Sequence, residues 1–432
     1  MQIGIFGSIG YDDIGDDALL ISNIIELNKS GNKLIIFTKN ISKTYDLLKV
    51  HHLVPSHGLS KNILVVESLD VYLSRETNVF KYFDFIVDTI SDKLFKSRLG
   101  VFNLSNVKYI KHKLQKCCKK NGVGNPKLNE FTKNIEKCSI ILFMGGGYFN
   151  KHWGGKINQF LLTMDVAHYL KKPIFASGLT FGPLNIIQQI LFKKRIHYFQ
   201  HIAVRDVDRS AKNLARLKFC PLKVSEGPDD AIFLEKKKPL NFKIPISDFN
   251  VIINFGGFLK YSKKPINIIY QAIASLLDYL IKVKKAKIIC VSMDRYSSDY
   301  LKGIKIQQYM ENPEHLSFVP INTESSVIKN IINQSSLVIA SRLHPIVFAI
   351  AEKTPFIGVS AGGEYYDTKL KGITECYGYV ANKHIIDVNE ISLKNLKKIL
   401  NSALIDKPDN DIYIKNQAKR SEFLNILENF TK

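Results

Sequence analysis

Short apolar runs alternate with longer stretches of helical periodicity along almost the whole chain, the pattern of parallel α/β architecture. In the first half Ile3 to Phe6, Leu34 to Phe37, Ile63 to Val66, Ser139 to Met144, Ile174 to Ala176 and Ile202 to Val204 read as strands. They are mostly continuous apolar runs, as strands covered on both faces require. Helices are predicted over Ala18 to Leu27, Asn158 to Leu170 and Arg209 to Leu217. The second half restarts the pattern, with strands at Val251 to Phe255, Lys287 to Val291, Ser317 to Val319, Leu337 to Ala340 and Phe356 to Val359. Its helices are predicted over Asn267 to Val283, Ser326 to Gln334 and Pro345 to Ala351.

Between the halves, Glu235 to Pro245 is a charged, proline-bounded stretch typical of a linker. The expected organisation is therefore an N-terminal α/β domain over 1–240 and a C-terminal one over 247–405. A terminal amphipathic helix is expected over 411–432, with apolar residues at Ile412, Ile414, Ala418, Phe423, Leu424, Leu427 and Phe430. A basic helical insert near 88–137 interrupts the first half: Val107 to Lys120 holds six lysines and no acid, with Val107, Ile110, Leu114 and Cys117 at helical spacing. Two readings of it stand, a solvated surface helix and a helix lying on an anionic membrane.

Composition narrows the class. With 45% hydrophobic and 23% charged residues the 432-residue chain is expected to be globular and soluble, and no run approaches the ~18 apolar residues of a membrane span. It opens directly as a strand, without the basic start of a secretory leader. The cysteines form no C-x-x-C pair, which points to reduced thiols and a cytoplasmic protein. Lysine and arginine exceed aspartate and glutamate by 61 to 39, a net charge of +22 that favours anionic partners. No nucleic-acid module accompanies it, so nucleic acid is not expected as that partner.

The chemistry concentrates where predicted strands end. Ser341-Arg342-Leu343-His344-Pro345 places a guanidinium and an imidazole where an apolar strand becomes a helix, with Pro345 suited to the first turn. Free amides at such a helix start attract anions, and arginine can grip a carboxylate or phosphate with paired hydrogen bonds. Gly7 to Ala18 forms a glycine-bearing loop after the first strand; its spacing is not G-x-G-x-x-G, so dinucleotide binding is not supported. There Asp16 reads either as a helix N-cap or, with Asp12 and Asp13, as a group that holds sugar hydroxyls or acts as a base. Gly145-Gly146-Gly147 reads either as a tight turn or as a loop whose amides face a ligand, followed by Tyr148, Phe149 and Trp153 as a sugar-stacking wall. Arg205 ends another apolar strand, where it either pairs with Asp206 or Asp208 or reaches the cleft of Arg342. No His and carboxylate cluster has metal-ligand spacing, so no metal is expected.

In order, Gly10-Tyr11 to Gly15-Asp16-Asp17-Ala18, Gly145 to Gly147, Gly178 to Pro183, Val204-Arg205-Asp206, Asp229-Asp230-Ala231, Arg342-Leu343-His344 with Phe348-Ala349, and Pro355 to Ser360 resemble the polysaccharide pyruvyl transferase family. The resemblance implies two Rossmann-like domains with parallel sheets facing across a cleft, a GT-B-like fold. It implies transfer of pyruvate from phosphoenolpyruvate to two sugar hydroxyls as a cyclic ketal, with phosphoenolpyruvate as co-substrate and no other cofactor. Arg342 and His344 would carry the chemistry, His344 as general acid. Arg205, Arg342 and the amides of Gly145, Gly146 and Gly147 would hold the donor; Asp12, Asp13, Asp16, Tyr148 and Trp153 would meet the acceptor. The acceptor would be a glycan or lipid-linked saccharide, and the basic surface would hold the protein peripherally at the inner membrane. A nucleotide-sugar-dependent glycosyltransferase and a non-catalytic glycan-binding relative are the competing readings.

Overall fold

The structure, a computed structural model, describes residues 1–55, 60–68, 125–238, 242, 247–256, 262–406 and 411–430. The predicted basic helix over 107–120 lies outside them. The first sheet comprises β1 (Gln2–Phe6), β2 (Lys33–Thr38), β3 (Ile63–Glu67), β4 (Ile140–Phe143), β5 (Gly146–Phe149), β6 (Ile174–Phe181), β7 (Phe199–Val204) and β8 (Val224–Glu226). Its order is β3, β2, β1, β4, β6, β7, β8, with β5 pairing the far end of β6, and every pairing is parallel.

The second sheet comprises β9 (Asn250–Asn254), β10 (Lys287–Cys290), β11 (Leu316–Phe318), β12 (Leu337–Ala340), β13 (Phe356–Ser360) and β14 (Ile385–Asp387). Its order, β11, β10, β9, β12, β13, β14, is the doubly wound 3-2-1-4-5-6 arrangement, again wholly parallel. In each sheet the strand order reverses beside the first strand, between β1 and β4 and between β9 and β12. At such a point neighbouring loops diverge at the carboxyl ends of the strands and leave a crevice.

The two sheets do not stand apart. One apolar cluster contains Ile5 and Leu19 from the first half, Ile331, Leu343 and Phe348 from the second, and Leu427 from the terminal helix. The loop after β1 is stitched to the loop after β10. Asp13 and Asp294 form an antiparallel bridge, Ile14 N donates to Met293 O at 3.0 Å, and Arg295 N donates to Asp12 O at 3.2 Å. The last helix, Ile412–Asn429, returns to the first sheet's side. There Arg420 pairs with Glu26 at 2.6 Å and with the buried Asp230 at 3.0 Å. The helix Ile266–Lys284 is long and apolar enough to cross a membrane by composition, yet Ile269, Ile273, Leu276, Leu277 and Leu280 are buried in the core of the second half.

Candidate functional site

A cavity of about 170 Å³ opens between the sheets. Four strand-end segments build it: Ser8, Asp13 and Asp16 follow β1; Gly147, Tyr148 and Trp153 come from β5 and the turn after it; Ser341 to His344 follow β12; Tyr365, Tyr366, Lys369 and Leu370 stand on the helix Glu364–Cys376 after β13. It therefore occupies the crevice that the doubly wound topology predicts.

His344 begins the helix Leu343–Ala351 and is buried. Among the described residues its Nε2 has no hydrogen-bond partner, which is costly for a buried polar atom unless a ligand satisfies it. Burial drives its imidazole pKa down to about 3; Asp13 opposes this, while Lys369, Arg205 and Arg342 add to it. The ring is therefore neutral at neutral pH and acts as an acid only after it has taken up a proton.

Arg342, at the N-cap of that helix, lines the same cavity, but its guanidinium is already enclosed by acids. Nη1 lies 3.3 Å from Asp13, Nη2 is 2.7 Å from Asp294 and 2.9 Å from Asp299, and Nε is 2.7 Å from Asp299. The free bidentate grip expected of it is thus corrected. A donor anion would have to displace carboxylates that counterbalance a charge with little solvent around it.

The three aspartates of the first loop separate. Asp13, not Asp16, is the N-cap of the helix Ile14–Lys29, accepting from the Gly15 and Asp16 amides. Asp16 faces the cavity instead, and burial, then Asp13, raise its carboxyl to about 8, against the pull of Ser8 and Lys369. Asp12 does not join them. It pairs with Lys43 at 2.6 Å and Tyr296 at 2.7 Å in a second cavity on the other side of the loop, so its assignment to this acceptor site is corrected.

Tyr148 and Trp153 do line the cavity, with their rings edge to face at 6.1 Å. The Tyr148 hydroxyl donates to Met144 O at 2.6 Å and its side chain is fully buried, so it backs the cavity wall instead of presenting a face to a ligand. The glycine triplet is neither a plain turn nor an amide cradle. Gly146 and Gly147 lie in β5; the Gly145 amide donates to Asp230 at 3.1 Å; Gly147 O accepts from Tyr365 at 3.0 Å. Of the three only Gly147 reaches the cavity.

Arg205 pairs with neither Asp206 nor Asp208. Fully buried, it bonds Asp229 through Nη1 and Thr180 Oγ1 through Nε at 3.0 Å. Its Nη2 has no partner, and lies 3.7 Å from where a Cβ on Gly147 would be, directly behind the cavity wall.

Lys369, Tyr365 and Tyr366 were not singled out by sequence. Their helix is polar enough to look like a loop, although Tyr366, Leu370 and Ile373 repeat at helical spacing just after the β13 run. Lys369 makes no hydrogen bond or ion pair among the described residues; burial, then Arg205, lower its ammonium to about 8, so it is mainly charged at neutral pH. Among those residues no group of three His, Cys, Asp or Glu is placed to hold a metal.

Two doubly wound parallel sheets enclosing a charged cavity at their switch points define a GT-B-like protein. The chain belongs to the polysaccharide pyruvyl transferase family, which matches it over residues 14–362. No curated protein matches it. Among solved structures, the UDP-GlcNAc 2-epimerase of Neisseria meningitidis bound to UDP-GlcNAc is similar at TM-score 0.54 and 12% identity, over 99% of this chain and 100% of that one. The UDP-GlcNAc 2-epimerase of Methanocaldococcus jannaschii gives TM-score 0.56 and 11% identity, over 99% of both chains. Anabaena HepE in complex with UDP and glucose gives TM-score 0.54 and 13% identity, over 100% and 99%. At these identities the likeness describes the fold.

Proposed function

We propose that this transferase moves pyruvate from phosphoenolpyruvate to two hydroxyls of a saccharide, forming a cyclic ketal and releasing phosphate. The observation that carries the reading is the set gathered in one interdomain cavity. A cation with no salt bridge among the described residues (Lys369), a neutral imidazole whose Nε2 has no partner among them (His344) and a carboxyl that keeps its proton at neutral pH (Asp16) all line it.

The donor carries a carboxylate and a phosphate, which Lys369 is placed to meet directly while the buried guanidinium of Arg205 adds positive charge from behind the wall. Ketal formation needs a proton on the methylene carbon and removal of protons from two hydroxyls. Asp16 is the better-suited acid: it gives its proton to the methylene carbon while His344 Nε2 takes the proton of the first attacking hydroxyl. His344 then passes that proton to the departing phosphate, and the Asp16 carboxylate receives the proton of the second hydroxyl as the ring closes. Both groups return to their starting states. Trp153, half-buried at the cavity, offers ring surface for the sugar.

Incubation with phosphoenolpyruvate and galactose-type or mannosamine-type acceptors, followed by phosphate release and ketal detection, tests this. Consumption of a nucleotide sugar in place of phosphoenolpyruvate would transfer the cavity to glycosyl chemistry.

A further inference from the structure

The helix Ile186–Arg195 carries apolar residues on opposite faces. Leu191 and Phe192 are buried, with Phe192 edge-on to Phe149 at 5.2 Å and to Phe181 at 5.3 Å. Ile186, Ile187 and Ile190 point away from that core and are 72%, 63% and 56% exposed. On a helix surface these positions form a single patch. Lys193 and Lys194 continue the exposed side toward the C-terminal end, and no acid occurs from Asn185 to His197. The exposed Lys151 sits beside the start of the helix, its amide donating to Pro183 O at 2.9 Å.

A helix bathed only in water would carry polar residues at those three positions, and a core helix would bury them. Isoleucines bordered by lysines without acids suit the boundary of a bilayer, where the side chains reach the acyl region and the ammonium groups meet anionic headgroups. A second copy of the chain is a poorer occupant. At a net charge of +22 two copies repel, and the helix itself carries no acid.

The helix is also tied to the cavity. Its capping box, Asn185 with Gln188, holds its first turn, and Gln188 Nε2 donates to Asn150 O at 3.3 Å. Asn150 leads straight into Lys151–Lys156, the turn that brings Trp153 to the cavity. We propose that the face formed by Ile186, Ile187 and Ile190, with Lys193 and Lys194 beside it, docks the protein on an anionic membrane surface. The docking stands independently of the pyruvyl chemistry. If both hold, a lipid-carried saccharide would be presented at the Trp153 side.

The test is co-sedimentation of the full chain with phosphatidylcholine vesicles, with and without phosphatidylglycerol, at low and high salt. The wild type should bind the anionic vesicles and weaken as salt rises. Combined Ile186→Ser, Ile187→Ser and Ile190→Ser should lower partitioning at least ~10-fold. Lys193→Ala should lower it ~5-fold at low salt. Circular dichroism and the vesicle-free turnover of both variants should match the wild type, since these side chains support neither the core nor the cavity. Failure of the wild type to bind, or equal binding by the triple serine variant, overturns the proposal. A wild-type dimer that the serine variant converts to monomer assigns the face to a second copy and also overturns it.

Discussion

A Cβ placed on Gly15 would lie 1.7 Å from Nδ1 of His344, so the imidazole occupies the space that any side chain at position 15 would need. The first loop of one sheet and the β12 loop of the other therefore fit together at a position where only glycine leaves room. Gly15 is in a helix, where alanine would ordinarily gain ~1 kcal/mol. Gly15→Ala is instead expected to push His344 aside and lower turnover ~100-fold, because misplacement of a reacting group by about 1 Å has that scale of effect. The melting temperature should move little. Unchanged kcat would show that the position of His344 is not critical.

Turnover should depend on the Asp16 proton. A carboxyl raised to about 8 is protonated below that pH, so kcat/KM is expected to fall as pH rises through about 8. His344, lowered to about 3, should impose no acid limb above pH 4. Asp16→Asn should abolish the alkaline limb along with ~100-fold or more of the rate. A profile whose alkaline limb breaks near pH 6 in place of about 8 would return the acid role to a protonated His344.

His344→Ala should leave phosphoenolpyruvate binding nearly intact while lowering turnover by ~100-fold to ~10,000-fold. Calorimetric binding and phosphate release separate the two effects. Retained phosphate release would remove His344 from the proton transfers.

Arg342→Ala leaves Asp13, Asp294 and the fully buried Asp299 facing one another, and a cost of ~3–5 kcal/mol is expected at neutral pH. Burial already raises the Asp299 carboxyl, with Arg342 opposing it. Without the guanidinium it rises further, and a raised acid destabilises the fold only at pH values where the unfolded state is ionised. The deficit in melting temperature should therefore shrink as pH falls toward 4. Arg342→Lys should be intermediate, since one ammonium cannot bridge three carboxylates. A normal melting temperature with a large rise in KM for phosphoenolpyruvate would restore Arg342 as a donor-gripping residue.

Arg205→Met strands Asp229 in the core and should cost ~3–5 kcal/mol. Pairing it with Asp229→Leu should recover most of that stability. If the unpartnered Nη2 serves the donor, the double variant will still show KM for phosphoenolpyruvate raised more than ~10-fold. Recovery of both stability and KM would make the pair purely structural.

Much of this was legible in the chain. Leu337 to Ala340 followed by Arg342, His344 and Pro345 announces a strand, a turn and a helix start, and the structure has β12 at Leu337–Ala340 and the helix from Leu343. Strand β5 was not legible. Gly146 and Gly147 have little strand propensity, and the strand exists because Gly146 and Phe149 pair with Leu179 and Phe181 of β6. The helix Glu364–Cys376 was missed for a related reason: its charged residues hide an apolar face that matters only once β13 and the cavity lie beneath it. Lys369 was missed with it.

By itself the sequence determined the alternating α/β order, the family, and the placement of Asp16, Arg342 and His344 just beyond strand ends, because those are set by residues adjacent in the chain. Tertiary structure alone decided the partners: Asp294 and Asp299 for Arg342, Asp229 for Arg205, Lys43 for Asp12, and, among the described residues, no hydrogen bond for His344 Nε2. Charge and proton affinity follow from through-space distance and loss of water. Neither exists until segments far apart in the chain close over one cavity.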